Sequence, residues 1–259
     1  MSTPNPYAAP RAPVADAAAA VPRNFVPAGR AVPAARGWAW IAQAWELFRR
    51  QPLMWILFAV IGIMIFVALH FFPIVGQLVL ALLAPVFTGG VMMGCRDLEQ
   101  GGELQVSHVF AGFRERFGNL LLVGVISLAL SFVIALVAVL VTGASMGALF
   151  GAGTDPAAVA AASVTILLTV LIMLALLLPV SMAMWFAPAL VVFHEQGPAV
   201  AMKNSFLACL KNIMPFLLYG VILLLLAMAA SIPFGLGWLV LGPVTVASLY
   251  TGYRDVFFE

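Results

Sequence analysis

Residues that could bind a metal ion are few in this sequence and lie far apart along the chain. Zinc sites use cysteine and histidine at short spacings such as C-x-x-C or H-E-x-x-H, and neither spacing occurs here. The sequence therefore predicts no metal site and no cofactor, and both cysteines are expected to be free thiols in a reducing compartment. The residues considered are His70, Cys95, His108, His194 and Cys209.

Carboxylates that could act as general acids or bases occur where hydrophobic segments end. Acid–base catalysis needs two such groups in a pocket that excludes water, and no sequence pattern brings two of them together. No motif for a phosphate-binding loop occurs either. We interpret these carboxylates as solvated helix ends or salt-bridge partners, and we predict that the protein is not an enzyme. They are Asp97, Glu99, Glu103, Glu195 and Asp255.

The composition decides which elements carry these residues. Hydrophobic residues make up 64% of the 259 residues and charged residues 8%, whereas soluble domains have about 45–50% and about 25%. So few charges cannot solvate the surface of a soluble globule, and the low hydrophobicity of a disordered chain is missing. A net charge of +2 gives no reason to expect a nucleic-acid partner. The composition predicts an all-α membrane protein that contacts lipids.

Six apolar segments are long enough to cross a membrane as helices. Each is close to or above the roughly 20 residues that span about 30 Å of hydrocarbon, and none has a charged residue in its interior. The predicted fold is therefore a six-helix transmembrane bundle. Its spans are Leu53–Phe72, Ile74–Gly94, Leu120–Thr142, Val164–Phe193, Ile213–Ala230 and Leu236–Tyr253.

The distribution of basic residues predicts the orientation. All 12 Lys and Arg residues lie in segments on one side of the predicted membrane, which is typical of the cytoplasmic side. We therefore predict a multi-pass inner-membrane protein with both termini in the cytoplasm. Residues 1–36 are rich in Pro and Ala and lack the apolar stretch of a signal peptide, so we predict a disordered tail there and one transmembrane domain over residues 37–259.

One long connection and several prolines interrupt this pattern. Gly143–Ala162 is predicted to be a long connection between two spans. Asp155 and Pro156 have the residue types of a helix N-cap and its first turn, so the fourth helix is predicted to begin within it, before the hydrocarbon. The fourth span is long enough to tilt, or to break at Pro179 or Pro188. Prolines at matching positions of the second, fourth and sixth spans are candidate helix breaks, namely Pro85, Pro179 and Pro243.

The chain also contains an internal threefold repeat. When the three-residue sequences that begin at Ala59, Gly124 and Gly220 are aligned, an aromatic position and a polar hinge recur ahead of each odd-numbered span. The aromatic residues are Trp45, Phe110 and Phe206. The hinges are Arg50-Gln51, Glu115-Arg116 and Lys211-Asn212. We interpret each repeat as a short amphipathic helix followed by a helical hairpin.

The amphipathic segments Gly37–Arg50 and Ser107–Phe117 carry aromatic residues at helical spacing, with Ser107 as a candidate N-cap. Such helices lie in the headgroup plane with basic residues near anionic phosphates, but the same stripes can pack on neighbouring helices. Both interpretations stay open. The candidate lipid or partner contacts are Trp38, Trp45, Phe48, Arg49, Arg50, Phe110, Phe113, Arg114, Phe206 and Lys211.

Several short motifs are distributed along nearly the whole chain. They include Asn5-Pro6-Tyr7, Gly37-Trp38, Gln51-Pro52-Leu53, Pro85-Val86, Gly94-Cys95-Arg96, Phe110-Ala111-Gly112-Phe113 and Phe186-Ala187-Pro188. Together these motifs resemble an uncharacterised bacterial family of multi-spanning inner-membrane proteins. More loosely, the spacing of Pro188, Glu195 and Ser205 is similar to that in membrane regions attached to glycerophosphodiester phosphodiesterases, whose catalytic carboxylates lie in a separate domain. The resemblance implies a fold and a location, and it implies no active site.

Two functions remain after this reasoning. The first is a non-catalytic membrane scaffold that binds lipids or a protein partner through its cytoplasmic face. The alternative is a channel or carrier for a neutral or hydrophobic solute, since ion-coupled carriers place ionisable residues within their spans. A packed apolar centre would favour the first function, and a continuous polar cavity would favour the second. The sequence leaves the oligomeric state open.

Overall fold

The computed structural model describes residues 24–151 and 155–259. Within those ranges the chain is helical apart from short turns and one isolated β-bridge between Phe25 and Phe258. A 3-10 turn covers Val106–Phe110. The helices are α1 (Arg36–Arg50), α2 (Pro52–His70), α3 (Pro73–Glu99), α4 (Ala111–Arg114), α5 (Phe117–Gly151), α6 (Pro156–Trp185), α7 (Ala187–His194), α8 (Pro198–Lys211), α9 (Ile213–Ser231) and α10 (Trp238–Phe257).

Five helical segments are long and apolar enough to cross a membrane. They correspond to the first five predicted spans. In four of them fewer than a fifth of the residues in the most apolar stretch are buried, whereas in Pro73–Glu99 44% are buried. Helix α10 overlaps the sixth predicted span. It is less apolar than the other five segments, because its last turns include Arg254 and Asp255. The five segments are Pro52–His70, Pro73–Glu99, Phe117–Gly147, Pro156–His194 and Ile213–Ser231.

The predicted connection Gly143–Ala162 is shorter than expected at its start. Helix α5 continues to Gly151, and α6 begins at Pro156. Alanine is frequent in the first turns of α6 and has the highest helix propensity, which favours a helix there. The predicted helix start is confirmed, because the Asp155 carboxylate accepts a hydrogen bond from the Ala157 amide at 3.0 Å.

Pro85, Pro179 and Pro243 were predicted to break helices, but all three lie inside continuous helices. The alternative break at Pro188 is confirmed, because the helix is interrupted at Phe186, between α6 and α7, with Pro188 in the first turn of α7. Proline in a first turn costs no helical hydrogen bond, since that amide has no partner within the helix.

The second predicted amphipathic helix, Ser107–Phe117, is also wrong as a single helix. The 3-10 turn and α4 share this stretch, and the chain then breaks at Glu115-Arg116, where Arg116 has a φ of 49°. The N-cap is Gln105 rather than Ser107, because Gln105 and His108 form a reciprocal capping box around the 3-10 turn.

The predicted disordered tail is too long. Residues 24–35, called the strap below, pack along the end of α10. The Val26 amide donates to the Phe257 carbonyl at 2.9 Å, and the Arg30 amide donates to the Val256 carbonyl at 2.8 Å. These bonds satisfy backbone groups that a helix end leaves without partners, which is why the strap is ordered. The rest of the predicted tail, residues 1–23, lies outside the described residues.

The short helices gather at one end of the bundle. Helix α1 packs on α10 and α9, α4 and the 3-10 turn pack on α3, and α8 packs on α6 and α7. The most deeply buried large side chains lie among these elements and include Trp40, Met92, Phe186, Leu190 and Phe257. We call this region the packed end: α1, α4, α7 and α8 with the last turns of α3 and α10. The outer parts of α2, α5, α6 and α9 extend away from it.

Candidate functional site

Asn212, the polar hinge between α8 and α9, binds the strap at the packed end. Its side chain is fully buried. The Oδ1 atom accepts from the Val32 amide at 2.8 Å, and Nδ2 donates to the carbonyls of Arg30 and Ala208, each at 2.8 Å. One amide side chain thus holds the strap against the start of α9.

The other two hinges make the corresponding connection elsewhere. The Gln51 Oε1 atom accepts from the Leu104 amide at 2.7 Å, and Leu104 precedes the 3-10 turn. The Arg116 guanidinium forms an ion pair with Glu195, which precedes α8. In each case the hinge of one helical unit binds the segment that leads into the short helix of another. The repeat aligned the three hinges with one another, but it did not predict these partners.

The basic hinge residues predicted to contact lipid have partners within the protein. Arg50 donates to the Leu98 carbonyl at 2.8 Å. Lys211 donates to the Gly29 carbonyl at 2.9 Å. Both cations therefore bind backbone carbonyl groups at the packed end, one at the end of α3 and one in the strap. Of the other predicted cations, Arg49 pairs with Glu46 on the surface of α1, and Arg114 is exposed.

The predicted aromatic contacts divide into exposed and buried groups. Trp38 and Trp45 on α1 are 54% and 43% exposed. Phe48, from the same predicted stripe, is buried and stacks on Trp45 with ring centroids 5.3 Å apart. Trp40 faces the core in place of Trp38, so the buried face of α1 is rotated from the predicted stripe.

Phe110 and Phe113 of the second repeat are more exposed than Phe206 of the third repeat. Phe110 and Phe113 are exposed and pack around Phe87 at centroid distances of 6.1 and 5.3 Å. Phe206 on α8 is only half-buried. Four of the exposed aromatic residues near the packed end form what we call the aromatic rim: Trp38, Trp45, Phe110 and Phe113.

Asp255 is the most enclosed of the predicted carboxylates. Its side chain is 8% exposed. It accepts from the Nε and Nη2 atoms of Arg36 at 2.6 and 2.8 Å and from the Trp40 indole at 2.9 Å. Asp255 is thus a salt-bridge partner, as predicted for the carboxylates. Its partner Arg36 had been assigned to the disordered tail.

Glu99 and Asp97 also have partners within the protein. Glu99 forms an ion pair with Arg254 and accepts a hydrogen bond from the Tyr250 hydroxyl at 2.7 Å. Asp97 lies 3.1 Å from the Nε2 atom of His108. With Glu103, Asp97 and His108 line a polar depression of about 460 Å³. This depression is open to solvent, so it lacks the exclusion of water that acid–base catalysis requires.

The residues considered for a metal site do not meet. Across the described parts of the chain, no three His, Cys, Asp or Glu side chains converge on a common point. His194 bonds the Tyr253 hydroxyl at 2.6 Å and stacks on Phe25. Cys95 and Cys209 are free and buried. Burial raises the pKa of the Cys209 thiol to about 12, which removes the thiolate needed for nucleophilic or metal chemistry.

An apolar cleft of about 610 Å³ opens between α6, α9 and α10. Trp185 and Trp238 are among its lining residues. Its hydroxyl groups bond within the protein: Ser181 to the Leu178 carbonyl at 2.7 Å, and Thr245 to a carbonyl of its own helix at 2.8 Å. The surface that the cleft offers to a ligand is therefore almost entirely hydrocarbon. Sequence reasoning missed it, because no residue type marks a gap between helices.

A second apolar cleft, of about 470 Å³, lies between α2, α3 and α10. Phe58 and Phe87 line it, and Trp238 borders both clefts. A shared tryptophan on α10 thus separates two hydrophobic spaces. Neither space is the continuous polar cavity that a pathway for hydrophilic solutes would need.

One curated protein shares most of its length with this chain. A probable inner membrane protein of Burkholderia thailandensis is 30% identical over 212 residues, which cover 79% of this chain and 77% of the relative. The chain belongs to the family of this inner-membrane protein. The match confirms the resemblance to bacterial inner-membrane proteins, and the looser likeness to glycerophosphodiester phosphodiesterases is not part of it. No protein-family profile matches the chain, and no solved structure matches it.

Proposed function

We propose that this protein is a non-catalytic inner-membrane protein that binds lipid headgroups or a protein partner through its packed end. The main observation in support of this proposal is the aromatic rim, in which large apolar side chains such as Trp38 and Trp45 are exposed beside a well-packed core. Aromatic residues with a polar edge are favoured at membrane interfaces. Every buried side-chain nitrogen or oxygen of the described residues has a hydrogen-bond partner, which supports a structural role for the buried polar groups.

The proposed architecture is three repeated helical hairpins arranged in a ring, with α10 as a sixth membrane helix. The three hinge contacts support it, because Gln51, Arg116 and Asn212 each bind the segment entering a different short helix. The packing of each short helix on a long helix of another unit supports it as well. In this arrangement the strap takes the place of the connection that would otherwise lead from the third unit to the first.

The proposed orientation puts the packed end in the cytoplasm, since the basic residues are concentrated there. Fusions of a fluorescent protein that folds only in the cytoplasm test this. Fluorescence is expected for fusions after Glu259 and after Glu103, and none is expected after Phe150. The reverse pattern, or fluorescence from all three fusions, would refute the orientation.

Lipid retention tests the role of the rim. We expect a Trp38→Ala/Trp45→Ala variant to retain at least twofold less anionic phospholipid after purification than the wild type, as counted by native mass spectrometry. The matched control is Phe71→Ala/Phe72→Ala, which removes two exposed aromatic residues at the opposite end of α2. If the rim variant kept the lipid and partner profile of the wild type, the proposal would be abandoned.

A second candidate function is a carrier for a neutral or hydrophobic solute. The two apolar clefts on either side of Trp238 favour it, and the absence of charged residues inside the predicted spans fits an uncharged cargo. Flux of apolar fluorescent solutes into liposomes that contain the purified protein would support this function. Flux equal to that of protein-free liposomes across the panel would reject it.

A further inference from the structure

The helices of neighbouring units pack closely at two places and not at a third. Helix α3 of the first unit packs along α5 of the second, and α10 of the third packs along α2 of the first. The equivalent contact between the second and third units would join α6 to α9. No comparable packing joins these two helices in residues 24–151 and 155–259, and the 610 Å³ cleft lies there. We call this place the open seam.

Two glycines that the repeat aligns show the difference directly. Gly124 on α5 lies so close to α3 that a Cβ atom there would overlap the Leu82 carbonyl oxygen. Gly220 occupies the aligned position on α9 and lines the cleft. A Cβ atom at Gly220 would meet nothing within 4 Å. A close helix contact is therefore replaced at the open seam by empty space.

We propose that the open seam binds one hydrocarbon chain of a membrane lipid, entering sideways from the bilayer. This inference rests on the membrane-embedded, three-unit arrangement proposed above, but it does not depend on the aromatic rim. Apolar surface favours an apolar ligand, and the hydroxyl groups of the cleft are already bonded within the protein. A cleft of this volume is within the range of small-molecule sites, about 300–1,000 Å³.

The length of the cleft suits an extended chain. Its lining runs along α9 from Ile213 to Ala227, and at about 1.5 Å per residue this distance is about 21 Å. That is most of the roughly 30 Å thickness of the hydrocarbon core. Because Trp185 and Trp238 lie on different helices of the lining, a bound chain would touch an aromatic ring on α6 and another on α10.

Photolabelling in liposomes tests the proposal. A phosphatidylcholine with a diazirine in one acyl chain is irradiated with the full-length protein, and the adducts are mapped by mass spectrometry. We expect Leu223 and Leu241 to be labelled at least fivefold more than Val137 and Val139 on the exposed surface of α5. Leu241 is buried, so a lipid in the surrounding bilayer reaches it only through the cleft.

Three glycine variants make the test specific. Gly220→Leu fills the open seam and should reduce the adducts on Leu241 at least fivefold. Gly143→Leu on α5 and Gly242→Leu at the second cleft also enter open space, and both should leave these adducts unchanged. Leucine has a higher helix propensity than glycine, so none of the three should weaken its helix. Should Gly220→Leu not yield folded protein, the wild-type labelling ratio alone decides.

Each outcome is decisive. Equal labelling of the seam and of α5 means ordinary surrounding lipid and overturns the proposal. Weaker labelling of Leu223 and Leu241 than of α5 means that lipid does not enter the seam, and it also overturns the proposal. The Trp38→Ala/Trp45→Ala variant should keep the seam adducts, so failure of the rim proposal and failure of the seam proposal give different results.

Discussion

Arg36 and Asp255 form two hydrogen bonds, of 2.6 and 2.8 Å, across a separation of 219 positions in the chain. Arg36 begins α1 and Asp255 lies in the last turn of α10. The Trp40 indole donates to the same carboxylate. This contact joins the first and last helices. The strap, which directly precedes Arg36, therefore lies against the last turn of α10.

Removing this carboxylate should destabilise the protein. Asp255→Ala removes the acceptor of the buried Trp40 indole and of the Arg36 guanidinium, whose side chain is 37% exposed. Loss of the partner of the buried indole costs about 1–3 kcal/mol. In a chain of this size each kcal/mol lowers the melting temperature by about 2–4 °C, as measured by thermal unfolding in detergent. The control is Glu46→Ala, which breaks an exposed ion pair and should have almost no effect. Equal melting temperatures for the two variants would contradict the role of Asp255.

A circular permutant should fold. The Glu259 amide donates to the Asn24 carbonyl at 3.2 Å, so a short linker can join residue 259 to residue 24. New termini between Gly101 and Gly102 fall in an exposed turn where Gly101 has a φ of 88°. We expect monodisperse elution from a gel-filtration column and a melting temperature within a few degrees of the wild type.

The matched control for this permutant opens the chain between Gly89 and Gly90 inside the buried part of α3. It should aggregate, because it cuts a packed helix. Aggregation of both permutants would show that the covalent order of the units is needed, and it would contradict the proposed arrangement of the three units.

Ser205 should stabilise the break between α6 and α7. Its buried hydroxyl accepts from the Phe186 amide at 2.9 Å and donates to the Met182 carbonyl at 2.7 Å. Ser205→Ala leaves the Phe186 amide without a partner and leaves the Met182 carbonyl with only the Cys209 thiol, at 3.5 Å. We therefore expect a loss of about 1–3 kcal/mol and faster hydrogen exchange at the Phe186 amide. Ser163→Ala removes only an exposed bond within α6 and is the control. Unchanged exchange at Phe186 in Ser205→Ala would refute this assignment.

The cysteines should resist alkylation in the folded protein. Because burial raises the pKa of Cys209 to about 12, its thiol stays protonated from pH 7 to pH 10, and only the thiolate reacts. Cys95 is also buried. We expect maleimide to modify less than a tenth of either thiol in that range and both after denaturation in detergent. An introduced cysteine in Ser107→Cys, at an exposed position, should react readily as pH rises through about 8.5. Rapid native labelling of Cys209 would contradict its burial.

Local features were the ones that could be predicted. The Asp155 N-cap was correct because a cap depends on residues two or three positions away. The boundaries of α2 and α9 lie within a few residues of the predicted spans. The connection at Gly143–Ala162 was predicted too long at its start, because the end of the apolar stretch was taken as the end of the helix, and α5 continues beyond it to Gly151.

Features that depend on distant contacts could not be predicted in the same way. The composition of residues 24–35 is that of a disordered segment, and their order comes from Asn212 and the last residues of α10. The rotation of α1 that buries Trp40 and exposes Trp38 depends on where α9 and α10 lie. The repeat did align the three hinges, but it contained nothing about what each hinge would bind.

The sequence alone determined that the chain is helical and belongs in a membrane, because the transfer of an apolar helix into hydrocarbon depends on its own residues. The tertiary structure decided that Arg36 pairs with Asp255, that the strap is ordered, and that Gly220 faces a cleft while Gly124 touches α3. Those properties depend on the distance between elements far apart in the chain, and the type of a single residue does not contain that distance.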